Sequence, residues 1–384
     1  MSEDPITVTT RTSWFSRLGS ALGGVLTGLA LIVAAIALLS WNEGRSVKAT
    51  RTNAEGAGAV TAIAADSVSP ANEGRLVHMS APAVTDGQRR DTATGIAADG
   101  LVLTRKVEYF QWVETSRSET RARLGGGEET VTTYSYDRQW TSTPQDSSGF
   151  QQPAGHQNPV PTIKDATFRA ETARLGAFSV DRAVLDQLSA DTPLTLSAEH
   201  ANAVRAALSR PVRIEGAGLF VGVNPANPVP GDIRVTYQVA PQNQILSVVG
   251  AQSGQTLRPY AARTGSGILM VRTGAVPAEQ MFAQAQAGNQ MLSWGLRALG
   301  VVVLIAAVGM VLGPLGVLAD VVPLFGSIVR MGTGLVAGVT GLTIGAVVIA
   351  LAWIAHRPLI GVGLLAVAGG LTALLIWRAK QKKA

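Results

Sequence analysis

Hydrophobic and polar positions divide the chain into long, unequal blocks. Leu18 to Ser40 is an uncharged, mainly apolar stretch, long enough to cross a bilayer core, which takes about 20 residues at about 1.5 Å each. Trp14 and Phe15 precede it and Trp41 follows it, as aromatic anchors do at the two membrane interfaces. The chain then stays polar through residue 291. Apolar character returns for three further spans, predicted at 295–313, 333–355 and 358–377, with Trp294, Trp353 and Trp377 at or near their ends. Residues 314–332 are apolar but short and carry Asp320, Pro323 and Arg330. They read either as an interfacial or re-entrant segment or as a plain cytoplasmic connector.

The first span is longer than the h-region of a signal peptide, and Ala35-Ile36-Ala37, a weak cleavage site, lies inside the apolar run, so the span reads as an anchor. Orientation follows from the basic residues. Arg378, Lys380, Lys382 and Lys383 directly follow the last span with no acidic residue among them, which places the C-terminus in the cytoplasm. Four crossings put the N-terminal tail, 1–17, there too. Arg45, Lys48 and Arg51 vote the other way at the first span, but long domains cross largely regardless of charge. Residues 42–291 are then expected to be exported, and 378–384 to form a basic cytoplasmic tail.

The exported region alternates strand and turn signals. Gly58–Ala64, Arg75–Ser80, Leu101–Val113, Thr130–Trp140, Arg174–Val180, Val212–Val223, Gly231–Val239 and Ile245–Ala251 carry β-branched and aromatic residues between turn clusters. A glycine turn at Gly265 leads into another strand ending at Val271. Asp181 can cap a short helix, Ser197 a second one through Leu208, and Ala278–Leu292 reads as a helix running into the second span. Residues 145–161, rich in Pro, Gly, Ser, Gln and Asn, read as a loop. The expected fold class is therefore a membrane protein of four transmembrane helices, one N-terminal and three C-terminal, with a large α+β, strand-rich domain between spans one and two.

Composition agrees with this division. The chain of 384 residues is 47% apolar and 15% charged, against about 25% charged for a soluble domain. It has no cysteine, which excludes disulfides, thiolate catalysis and cysteine-based metal sites. Its net charge of +6 is partly a membrane-proximal effect, so no nucleic-acid partner is expected.

A set of short elements in order carries a family resemblance. They are Trp41-Asn42-Glu43-Gly44-Arg45 and Arg105-Lys106-Val107-Glu108-Tyr109-Phe110-Gln111-Trp112-Val113-Glu114. Next come Tyr134-Ser135-Tyr136 with Trp140, and His156-Gln157-Asn158-Pro159. Gly231-Asp232-Ile233-Arg234-Val235, Trp294-Gly295-Leu296-Arg297-Ala298 and His356-Arg357-Pro358-Leu359 complete it. Their order and the arrangement of spans resemble the transmembrane protein 43 (LUMA) family over residues 14–377. The resemblance implies four spans, a large domain between the first two, and no enzymatic activity. It also implies a role in organising membrane protein complexes, which for eukaryotic members means the endoplasmic reticulum and inner nuclear envelope, with emerin and lamins as partners. The Ala- and Gly-rich, Cys-free composition points instead to a bacterial member in the inner membrane with 42–291 periplasmic, which removes those two partners.

Tests for chemistry return little. His78, His156, His200 and His356 form no H-x-x-x-H or H-E-x-x-H pair, and no cofactor, metal or catalytic residue is assigned. Gly125-Gly126-Gly127 precedes Glu128 and Glu129, which would repel phosphate, so it reads as a hairpin turn. Glu108 and Glu114 share a strand face but stand roughly 20 Å apart, too far to act on one bond. The residues singled out lie at the membrane instead. Trp41, Glu43, Arg45, Trp294, Arg297 and Arg357 are candidates for the membrane interface or a hinge, with Glu43 and Arg45 placed to pair with Arg297. Gly24 and Gly28, Gly309 and Gly313, Gly334 and Gly338, and Gly341 and Gly345 are helix-packing candidates, because small residues four apart let backbones approach. Asp320 is the sole acid of the C-terminal apolar block and is expected at the interface. The leading expectation is a membrane scaffold, with lipids, further copies of itself and other membrane proteins as partners. A pore or transport component is the first rival, and a membrane-bound envelope enzyme the second.

Overall fold

The computed structural model describes residues 5–321 and 323–356. The fourth expected span, 358–377, the tail 378–384 and Arg357 lie outside the described residues. The chain divides into two compact units. One comprises the residues up to Val8, Ala54–Arg117 and Thr132–Ala283; the other comprises Thr9–Asn53, Ser118–Val131 and the residues from Gln284 on.

The first unit is strand-rich. Strand β1 (Ile6–Thr12) stands at the edge of an eight-stranded sheet, beside β4 (Glu128–Thr141), which pairs with β3 (Val102–Ala122). Then follow β5 (Ile233–Ala240), Gly218–Val221 and Val212–Glu215. Ala166–Arg169 pairs with the opening of β3, from Val102↔Arg169 to Arg105↔Ala166. Along β3 the side chains alternate by the two-residue period of a strand: Val107 and Tyr109 are buried, Lys106 and Glu108 exposed. With Leu103, Val235, Tyr237 and Leu219 they form one core under helix α2 (Ala198–Leu208). Ser197 caps α2 by accepting from the His200 amide, while the His200 ring accepts from the Ser197 amide.

The second sheet has seven strands. Its centre is β2 (Leu76–Val84) paired antiparallel with β6 (Ile245–Ser253) from Leu76↔Ala251 to Pro82↔Ile245. Met79, Leu101, Leu175, Phe178, Leu185 and Leu246 fill its core. Asp181 caps the single turn Arg182–Leu185 by accepting from the Ala183 amide at 2.9 Å.

The second unit is built on three long helices: α1 (Trp14–Ala59), α3 (Ala278–Ala319) and α4 (Pro323–His356). α1 and α3 continue past Asn53 and before Gln284 into the first unit. Each of the three is long and apolar enough to cross a membrane. Two helix limits differ from the sequence expectation. α1 does not end at Trp41 but runs to Ala59, so the expected strand at Gly58–Ala64 shrinks to Thr61–Ala62. Beyond the apolar stretch its inner face carries Asn42, Ser46, Thr50 and Asn53, at helical spacing. They bond to Gln286, Asn289 and Ser293, which recur at similar spacing on α3. A polar helix pair thus replaces the exit loop. Likewise 314–332 is not a separate segment. α3 continues through Pro314 to Ala319, and α4 starts at Pro323. Proline inside such a helix is tolerated where neighbouring groups re-satisfy the backbone.

Candidate functional site: two charged clasps on the membrane helices

Helical spacing sets the first clasp. Asn289, Ser293 and Arg297 lie four apart on α3 and face Asn42, Glu43, Arg45 and Ser46 of α1. Glu43, 1% exposed, accepts from Arg297 Nε at 2.6 Å and Nη2 at 2.8 Å. The indole Nε1 of Trp353, on α4, donates to the same carboxylate at 2.8 Å. The Arg297 guanidinium lies 4.7 Å from the Trp294 ring centre and 5.6 Å from that of Trp353. One buried carboxylate thereby ties three helices, and its charge is matched by a bidentate guanidinium, the strong form of such a pair. Arg45 does not join Arg297, whose charge it shares. It donates to Asn289 at 3.0 Å, Ser293 at 2.9 Å and Asn42 at 3.2 Å. Trp41 and Trp294 are largely exposed.

The second clasp centres on Arg17 and Asp320. Arg17 donates to Asp320 Oδ2 and to the Gly126 carbonyl, each at 2.5 Å, and pairs with Glu128 at 2.7 Å. Arg330 of α4 pairs with Asp320 Oδ1 at 3.0 Å. Asp320 is fully buried, with two guanidiniums in place of water around it. The Trp14 indole donates to the Val317 carbonyl at 2.9 Å. The hairpin tip that supplies Glu128 turns at Gly125 and Gly126, both at positive φ. A Cβ on Gly126 would run into the Trp14 ring, so glycine is required there for both conformation and space. A cavity of about 320 Å³ adjoins the clasp, lined by Gly309, Gly313, Gly316 and Gly334 with Arg17, Asp320 and Arg330.

Arg17 and Glu43 are 26 residues apart on α1, about 39 Å at about 1.5 Å per residue, and the apolar stretch lies between them. Glu128, inside 42–291, nevertheless touches Arg17. The 118–131 tip therefore packs at the N-terminal end of the apolar stretch.

The glycine candidates separate into two groups. A Cβ on Gly28 would meet the Ala307 carbonyl at 2.7 Å, one on Gly341 the Ile305 backbone at 2.8 Å, and one on Gly345 Val301 at 2.8 Å. Gly309 meets Ala337 only at 3.9 Å, and Gly24, Gly313, Gly334 and Gly338 meet nothing within 4 Å. The first group seats α3 against α1 and α4; the second makes no close helix contact among the described residues.

In the strand-rich unit the polar interior is structural in character. Asp91 accepts from Thr94 and Tyr237, each at 2.7 Å, and from Arg105. Burial pushes its pKa up, but those hydrogen bonds and the Arg105 charge outweigh it and hold the carboxyl below its usual value. Burial, with the neighbouring Asp91, raises the Tyr237 phenol. His156 stacks on Tyr136 at 4.0 Å and meets Trp112 edge-on at 4.7 Å. His78 hydrogen-bonds the Val276 carbonyl at 2.9 Å. Among the described residues no three His, Asp or Glu side chains gather as a metal would require. Sequence reasoning picked out Glu43 and Arg297 but missed Trp353 as their third partner, and it singled out Asp320 without its links to Arg17 and Glu128. Trp353 was visible only as an anchor, and Glu128 only as a turn residue.

Comparison with known proteins places the chain. A family model described as transmembrane protein 43 matches residues 109–358. Transmembrane protein 43 of Rattus norvegicus is 29% identical over 360 residues, covering 90% of this chain and 88% of the relative. The Homo sapiens protein is 28% identical over 360 residues with the same coverage. The Drosophila melanogaster homolog is 28% identical over 358 residues, 88% of this chain and 90% of the relative. No solved structure matches the chain significantly.

Proposed function

The chain belongs to the transmembrane protein 43 family, and from that premise we propose that it is a multispan membrane scaffold, without enzymatic activity. It self-associates and organises membrane protein complexes or membrane domains through its strand-rich region. The observation that supports this reading is the pair of buried clasps. Glu43 with Arg297 and Trp353, and Arg17 with Asp320, Glu128 and Arg330, fix the membrane helices to one another. A membrane platform held by buried charges resists splaying. It leaves outward apolar faces, such as Leu22, Leu26, Leu29 and Val33 on α1 and Leu335, Val336, Val339 and Leu342 on α4, for lipid and for other helices. We place it in a bacterial inner membrane with both termini cytoplasmic and 42–291 exported, apart from the 118–131 tip.

The test is the mass of the full chain in nanodiscs by light scattering, corrected for lipid. A discrete oligomer is the expected result; a monomer across the accessible concentration range overturns self-association.

A second reading, a pore or transport component made by the same oligomer, draws on a different observation. A polar hairpin tip carrying Arg121, Arg123, Glu128 and Glu129 packs at the membrane-helix ends beside a glycine-lined cavity. Charged groups at such a depth are costly unless they face protein or water. Ion flux through liposomes carrying the oligomer decides it.

A further inference from the structure

The strand-rich unit has a cleft of about 390 Å³ that no proposed role uses. It is lined by Arg89, Arg90, Arg169 and Arg182, with Gln88, Thr167 and Phe168. Its floor is rigid. Arg89 and Arg90 form a short strand paired with Ala97–Ala98, and the next residue, Asp91, is locked to Arg105, Thr94 and Tyr237. Thr167, Phe168 and Arg169 belong to the strand paired with Leu103–Thr104 and Val102 of β3. The four guanidiniums are thus held by two neighbouring strands and the helical turn after Asp181 rather than by loose loops.

Their charges are only half answered. Asp186 pairs with Arg169 at 3.2 Å and Arg182 at 3.3 Å, and Glu171 pairs with Arg182 at 2.9 Å. No carboxylate pairs with Arg89 or Arg90 among the described residues, so two positive charges stay uncompensated. Hydrogen bonding tells the same story. Arg89 gives one terminal nitrogen to the carbonyls of Asp86 and Gly87, at 2.7 and 3.0 Å. Its Nε, and Nη1 of Arg169, are buried yet have no acceptor among the described residues. Buried donors are nearly always satisfied, and leaving one unpaired costs about 1–3 kcal/mol. Both donors belong to cleft-lining residues that carry full positive charge, and with the unanswered charges of Arg89 and Arg90 they favour an anion there.

We propose that this cleft binds a phosphate-bearing ligand, either a small free phosphate or the phosphomonoester headgroup of a lipid. Phosphate oxygens suit several planar guanidinium forks at once. The Thr167 hydroxyl and Gln88 amide supply neutral contacts. This assignment stands independently of the scaffold reading: it rests on the strand-rich unit alone and holds whatever the oligomeric state.

The experiment is calorimetric titration of the full chain in a phosphate-free mild detergent. The probes are inorganic phosphate, soluble dihexanoyl phosphatidic acid, and dihexanoyl phosphatidylcholine as the control of matched chain length. The R89Q/R90Q double variant and R90E alone are compared with the unaltered chain. Arg90 is exposed and makes no ion pair, so R90E tests the cleft without disturbing the fold. Saturable binding of inorganic phosphate identifies a small phosphate as the ligand. Binding of the phosphatidic acid alone identifies a headgroup. In either case both variants weaken it by about tenfold or more, with thermal midpoints unchanged for R90E. Binding by neither probe, or equal binding by R90E and the unaltered chain, overturns the proposal.

Discussion

Glu43 and Arg297, 254 positions apart in the sequence, share two parallel hydrogen bonds of 2.6 and 2.8 Å at a place where the carboxylate has lost almost all contact with solvent. Burying either charge alone is expensive, and their attraction offsets that cost only while both are present. Replacing Glu43 by Ala leaves Arg297 with no counter-ion and the Trp353 indole with no acceptor. It should cost about 3–5 kcal/mol, read as a lowered thermal midpoint in detergent. Glu43→Leu combined with Arg297→Met removes both charges and should recover most of the loss. If the double variant is no more stable than Glu43→Ala, the pair is not what holds the helices.

The close glycines predict a graded response. Gly341→Ala places a Cβ 2.8 Å from the Ile305 backbone and Gly28→Ala places one 2.7 Å from the Ala307 carbonyl. Backbone cannot swing aside as a side chain does, so α3 must move from its neighbour. Each substitution should lower stability by about 1–3 kcal/mol. A Cβ at Gly334 or Gly338 meets nothing within 4 Å among the described residues, so Gly334→Leu and Gly338→Leu should leave the thermal midpoint of the protomer unchanged. A fall in oligomer mass with that pair, at constant protomer stability, assigns the open face of α4 to contacts between copies. A large loss of protomer stability contradicts the open face.

Acid should weaken the strand-rich unit through Asp91. Its folded pKa lies below the unfolded value of about 3.9. The stabilisation it gives is therefore fully present above that unfolded value and is lost as pH falls through the lowered folded one. Asp91→Asn keeps the shape but ends the charge-assisted bonds from Arg105, Thr94 and Tyr237. It should cost about 1.5–3 kcal/mol at neutral pH and flatten the acid limb of a plot of stability against pH. An unchanged acid limb in Asp91→Asn would assign that limb to other carboxylates.

Much of this was legible in the sequence, and what was not has physical reasons. The three described spans announce themselves by length and hydropathy, and most strands by alternation. Glu43 and Arg297 stood out because charges at span ends are few, and their pairing needs only two adjacent helices. α1 was cut short because Asn42, Ser46 and Thr50 resemble a membrane exit. Only the matching polar face of α3, with Asn289 and Ser293, gives them a reason to remain helical. Asp320 was conspicuous, but its partners were not. Arg17 reaches it from about 300 residues earlier in the chain, and Glu128, on a hairpin tip, pairs with that same Arg17, a register that no local pattern encodes.

That hairpin tip gives the sharpest test of how the chain meets the bilayer. The protein contains no cysteine, so single cysteines can be placed without background. Phe15 and Leu124 are both strongly exposed, and the contacts of Arg17 with Gly126 and Glu128 set their two segments side by side. Lys48, also exposed, lies beyond the apolar stretch of α1. In sealed vesicles of one orientation, an impermeant maleimide should therefore label Phe15→Cys and Leu124→Cys from the same side and Lys48→Cys from the other. Charge reversal at Arg17, Arg17→Glu, sets three carboxylates together at Asp320 and Glu128. It should release the tip, lower the thermal midpoint and change the labelling rate of Leu124→Cys while leaving that of Lys48→Cys as it was. Labelling of Leu124→Cys together with Lys48→Cys in the unaltered background would mean that the Arg17–Glu128 pair does not form in a membrane. The whole of 42–291 then lies on one side.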